Sequence, residues 1–142
     1  MHFIQSILRG RRLLTLGILL SLGVTTGCGV KTYPVEGMVR FSDGKPATEL
    51  AKGLVSFESL DGTRSAEGEI QADASYRLRS FEGVPGLAAG DYRVLVLPRP
   101  PGEKEAAPRQ VMARRFESFK TSGIQVTVKP ELNQIPLTVE RP

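Results

Sequence analysis

Gly90-Asp91-Tyr92-Arg93-Val94-Leu95-Val96-Leu97 is the stretch whose reading decides the fold. Tyr92, Val94 and Val96 alternate with Arg93, Leu95 and Leu97, a period of two that suits a strand and no helical face. Leu95 and Leu97 make the second side apolar too, as expected of a central strand covered on both faces. Proline follows at once, and it has no N–H to continue a ladder.

The same period recurs on either side. Val35, Gly37, Val39 and Phe41 share one face against Glu36, Met38 and Arg40, and Val55 and Phe57 flank Ser56. Ala66, Gly68 and Ile70 alternate with Glu67 and Glu69, and Tyr76 and Leu78 with Arg77 and Arg79. Ile124, Val126 and Val128 alternate with Gln125, Thr127 and Lys129; Ile135, Leu137 and Val139 with Pro136, Thr138 and Glu140. Between these runs lie Ser42-Asp43-Gly44-Lys45-Pro46, Asp61-Gly62, Asp73-Ala74-Ser75, Gly86 to Gly90, and Pro130 to Asn133, all turn chemistry. The pattern predicts an all-β fold, a seven-stranded antiparallel β-sandwich. Pro136 requires the last strand to be an edge or to carry a bulge.

Composition agrees. The chain has 142 residues with 15 Gly, 10 Pro and no Trp, enough for one modest domain. It has one Cys and one His, and the His is residue 2. A disulfide scaffold and a Cys/His zinc site are excluded, and no cofactor is expected.

Residues 1–27 read as an address. Arg9, Arg11 and Arg12 precede the apolar run Leu13–Val24, and Thr25-Thr26-Gly27 leads to Cys28. A basic start, an apolar centre and small residues before a cut site make a signal peptide, expected to be helical. Twelve helical residues span about 18 Å, short of a hydrocarbon core of about 30 Å. The Arg11-Arg12 pair also fits a twin-arginine signal. Of the 19 basic residues three lie in this segment, leaving 16 against 15 acidic ones and a formal charge of +1. With no concentrated basic face, a nucleic-acid partner is not expected.

Gly27-Cys28 resembles the lipobox of bacterial lipoproteins, with Thr25 where Leu is usual. The resemblance implies that Cys28 is lipidated, that it becomes the new N-terminus, and that membrane lipid is its first partner. Gly29 is not the Asp that retains many such proteins at the inner membrane, so the expected location is the outer membrane or its periplasmic face. Residues 28–32 are then a short tether, and 33–142 the domain.

The run 98–122 breaks the pattern, being long for a connection in a compact domain. Met112, Phe116 and Phe119 sit at helical spacing. Two readings stand: Phe116 and Phe119 cap one end of the sandwich, or Arg114, Arg115, Phe116 and Phe119 form a patch that docks an envelope protein.

The order of motifs also carries a resemblance. Pro34-Val35-Glu36-Gly37-Met38-Val39, Asp43-Gly44-Lys45-Pro46, Gly68-Glu69-Ile70, Asp73-Ala74-Ser75-Tyr76 and Gly90-Asp91-Tyr92-Arg93-Val94 follow one another along the chain. The series resembles bacterial lipoproteins with a carboxypeptidase-regulatory-like, transthyretin-like domain. It departs at Ala74, where Gly is usual, and at Leu87-Ala88-Ala89, where Pro-Pro is common. The resemblance implies a prealbumin-like sandwich that supports folding or interaction without joining the chemistry. Enzymes on related sandwiches rely on histidines, and residues 28–142 contain none. Glu67 and Glu69 share a strand face at about 6.6–6.8 Å by rise, a spacing that exposed acids commonly show. The expected function is a non-enzymatic structural or protein-interaction module. A ligand-binding module for glycans or Ca²⁺ is the alternative, although Asp43, Asp61, Asp73 and Asp91 lie in separate turns and lack the close spacing of a calcium loop.

Overall fold

The computed structural model describes residues 29–102 and 109–142. The expected signal-peptide helix and Cys28 lie outside the described residues. What is described is all-β: two sheets, with helix limited to two short 3-10 turns at Thr48–Leu50 and Arg114–Glu117. Nine strands form them: β1 Val35–Phe41, β2 Leu54–Ser59, β3 Ser65–Glu69, β4 Ser75–Arg77, β5 Arg79–Ser80, β6 Gly90–Leu97, β7 Ile124–Val128, β8 Asn133–Gln134 and β9 Leu137–Val139.

The larger sheet runs β5-β3-β2-β6-β7, antiparallel throughout. β6 pairs on both edges, and its outward Leu95 is buried as well as Tyr92, Val94 and Val96. The second sheet centres on β1, with β4 on one edge and β8 and β9 on the other. Alternation places Val55, Phe57, Ala66 and Val94 of one sheet opposite Val35, Val39, Tyr76 and Leu137 of the other, and these form a single core. Phe57 and Tyr76 bridge the layers with ring centroids 6.2 Å apart.

Two features correct the sequence reading. The run Tyr76–Arg79 divides, because the chain changes sheets at the fully buried Leu78: β4 pairs with β1, and β5 with β3. The last run shortens to Leu137–Val139, and a separate short strand, Asn133–Gln134, precedes it across Ile135-Pro136, where no proline N–H is available. Nine strands therefore stand where seven alternating runs do. The sandwich is also not wholly antiparallel. β1 pairs in parallel with β8 and β9, in one unbroken register from Val35↔Asn133 to Phe41↔Val139. Parallel neighbours need a long crossover, and here nearly the whole domain supplies it.

Gly37 makes this pairing possible. A Cβ there would lie 2.0 Å from the Ile135 carbonyl oxygen, so only glycine lets the broken strand pass. The same carbonyl accepts a hydrogen bond from the Tyr76 hydroxyl at 2.6 Å. Ala74, the unusual turn residue, takes φ +67 and is buried, so a side chain occupies a conformation in which glycine is unstrained.

Candidate functional site

An open groove of about 870 Å³ lies on the outer surface where β1, β3, β4 and β5 meet. Sheet-switching at Leu78 creates it. Because the strand changes layers, the outward residues of both sheets, Glu36, Met38 and Arg40 with Glu67, Glu69, Arg77 and Arg79, face one depression. Gly68 allows the close approach: a Cβ there would sit 2.5 Å from the Arg77 carbonyl oxygen.

The groove carries both signs of charge. Arg77 Nη2 lies 2.9 Å from Glu36 Oε2, and Gln134 Nε2 donates to Glu36 Oε1 at 3.0 Å. Arg40 Nη1 donates to the Gly44 carbonyl at 3.2 Å, and Ser56 Oγ to Glu67 Oε1 at 3.4 Å. These are surface pairs, worth on the order of 0–1 kcal/mol each, and they leave carboxylates and guanidiniums open to solvent. Tyr76 lines the groove but is almost wholly buried. Desolvation pushes its phenol well above the usual tyrosine range, so it stays a neutral donor to Ile135.

The Ser75 hydroxyl at the groove is engaged within its own turn. Ser75 Oγ donates to Asp73 Oδ1 at 2.6 Å, and that Asp also accepts from the Ser75 N–H. Asp61 accepts in the same way from Ser59 Oγ, Thr63 N–H and Thr63 Oγ1, which holds its carboxyl down to about 2. Asp43 accepts from Lys45 N–H and Asp91 from Thr127 Oγ1. Asp43, Asp61 and Asp73 thus close their own turns, whereas Asp91, on β6, bridges to Thr127 of β7. Among the described residues, no group of three or more His, Cys, Asp or Glu side chains could hold a metal ion.

The four residues of the 98–122 run separate into different roles. Phe116 is in the core with Met112, and its exposure is 2%. Its ring therefore cannot be presented to a partner. Arg115 stacks 4.2 Å above that ring and pairs with Glu140 at 2.8 Å. Phe119 is half-buried with the Arg93 guanidinium over it, and Arg114 is exposed. The burial of Phe116 follows from the backbone: Ala113 N–H donates to the Glu140 carbonyl, tying this segment to the last strand. The groove itself was not singled out by sequence, because its two walls come from strands whose sheet change at Leu78 carries no local signal. Among its residues, Glu67 and Glu69 stood out beforehand as paired acids and Pro136 as an edge or bulge.

Among the described residues no helix is long and apolar enough to cross a membrane. No family model, curated protein or solved structure matches the chain.

Proposed function

We propose that this chain is a non-enzymatic lipoprotein of the bacterial cell envelope. Cys28 carries the lipid, and the sandwich, of transthyretin-like type, serves as a structural or protein-interaction module held close to the outer membrane. One observation carries the reading: the Thr25-Thr26-Gly27-Cys28 sequence stands immediately before a folded domain, with almost nothing between. Tyr33 already exchanges backbone hydrogen bonds with Leu87, and Val35 is fully buried. Gly29 to Thr32 reach about 14 Å even when extended, a span that suits a lipid-proximal module.

The test is the fate of Cys28. Intact mass of the protein isolated from membranes is expected to show residues 1–27 removed and a diacylglyceryl group on Cys28. Cys28→Ser is expected to move the protein into the soluble fraction. An unmodified thiol, or a Cys28→Ser protein that stays in the membrane pellet, overturns the reading.

The mixed-charge groove favours one second reading, a module for a polar ligand such as a glycan, whose hydroxyls use carboxylates and guanidiniums alike. A rise in Tm with added oligosaccharide, abolished by Arg79→Ala, would support it; unchanged melts would leave the interaction module.

A further inference from the structure

Strand pairing fixes which residues share an end of the sandwich. β1 begins beside Asn133, and the Leu78 N–H donates to the Val35 carbonyl, so β4 finishes at that same end. β2 finishes there at Ser59 opposite Tyr92, and β7 at Val128 opposite Gly90. The turn at 81–84, closed by Ser80 N–H to the Val84 carbonyl, the turn at 60–63 and the turn at 129–132 all project from this end. So does the tether, through Tyr33.

Among the described residues the exposed large hydrophobics are Val30, Leu60, Phe81, Val84 and Leu132. Every one belongs to the tether or to these three turns. Phe81 is the most open, at 76%. The turns at the opposite end, 42–46 and 71–74, contribute none of them. Single exposed hydrophobics need no explanation, but their gathering at the one end from which the tether leaves does.

We propose that this end of the sandwich is a bilayer-facing surface, on which Leu60, Phe81, Val84 and Leu132 rest in the interfacial layer beside the acyl chains on Cys28. The occupant follows from the tether and so rests on the lipidation of Cys28. Four residues cannot carry the domain far from the headgroups, and the end nearest them is the apolar one. Sheets about 10 Å apart and strands about 4.8 Å apart make an end plate wide enough for the turns to touch one surface together. Charge offers no rival attraction: Lys31, Arg64 and Lys129 are offset there by Asp61, Glu82, Asp91 and Glu131. The contact is therefore apolar, needs no anionic lipid and resists salt.

The chain has no tryptophan, so one substitution installs one emitter. Phe81→Trp and Leu132→Trp test the proposed face, and Lys45→Trp, exposed in the turn at the far end, is the reference. Each processed full-length protein is reconstituted in phosphatidylcholine vesicles with brominated acyl chains, and its mass is read at Cys28. The expected result is blue-shifted, bromolipid-quenched emission from the Phe81→Trp and Leu132→Trp proteins, unchanged in high salt, with solvent-like emission from Lys45→Trp. Solvent-like emission from all three, with Cys28 diacylated, overturns the surface while the anchor stands. A blue shift without quenching indicates protein contact and overturns the bilayer assignment. Quenching lost in high salt overturns the apolar mechanism, and an unmodified Cys28 overturns the anchor and this surface together.

Discussion

The two sheets of this sandwich are assembled on different terms. In the five-stranded sheet β2 and β3 are neighbours in sequence, joined by a turn that Asp61 closes through its own side chain. In the second sheet β1 finds its partners at residues 133–139, at the other end of the domain, and in parallel. The first sheet has a local hairpin to build on, to which β6 and β7 are added by longer connections. The other rests on a few contacts between distant parts of the chain: Gly37 beneath Ile135, the Tyr76 hydroxyl on the Ile135 carbonyl, and the Asn133 N–H on the Pro34 carbonyl, with the Asn133 side chain closing the turn that leads there. Loop-closure entropy must be offset before such distant contacts form, so the second sheet is the more vulnerable to single changes.

Gly37→Val should have the largest effect. Its Cβ would meet backbone, which cannot move aside as a side-chain tip can, and overpacking of this kind costs about 3 kcal/mol. Urea unfolding gives the magnitude. Hydrogen exchange gives the comparison, since β8 and β9 should lose protection before β2 and β6. Equal loss in both sheets would erase the distinction drawn between them.

Asn133→Ala comes next. The buried Asn133 side chain donates to the Lys129 and Glu131 carbonyls at 3.0 and 2.7 Å and accepts from the Lys129 N–H at 2.8 Å. Removing it leaves those groups without their partner, at a cost of about 2 kcal/mol in chemical denaturation.

Tyr76→Phe should cost about 1 kcal/mol, the net value of the bond to Ile135. It should also change the alkaline limb of stability. The folded pKa of Tyr76 is raised above 10.0 by burial, so the unfolded chain releases this proton first and stability falls as pH rises past 10. Tyr92 is raised in the same direction. Stability curves measured above pH 10 should therefore be shallower in Tyr76→Phe but not flat.

The smallest effect belongs to the local sheet. The Asp61 carboxyl sits at about 2 against an ordinary 3.8, so its support is complete above about pH 4 and lost as pH falls toward 2. Asp61→Asn should lower stability at neutral pH and remove that part of the acid limb. An acid titration of Tm identical to that of the native protein would show the turn to be indifferent to its charge.

Legibility followed the same division. Five of the seven alternating runs fall on single strands to within a residue, and the other two hold the breaks at Leu78 and Pro136, because alternation reports which face is buried and does so over a few residues. The turns were equally open to reading, since Asp43, Asp61 and Asp73 act on residues two positions away. The antiparallel expectation failed at β1. Pro136 marked the last strand as an edge or a bulge, yet nothing local says which strand it would lie beside. The sheet change at Leu78 was invisible for a similar reason: a buried leucine alternates identically whether the strand stays in one sheet or leaves it. The groove, which depends on that change, was hidden with it.

By itself the sequence determined that this domain is β, where its turns fall, and which side of each strand meets the core, because those properties arise from side-chain period and backbone torsion within a few residues. Only the tertiary structure decided the parallel partner of β1, the bend that forms the groove and the gathering of apolar turns at the tethered end. Those depend on how surfaces far apart in the chain pack, and local pattern carries no record of that.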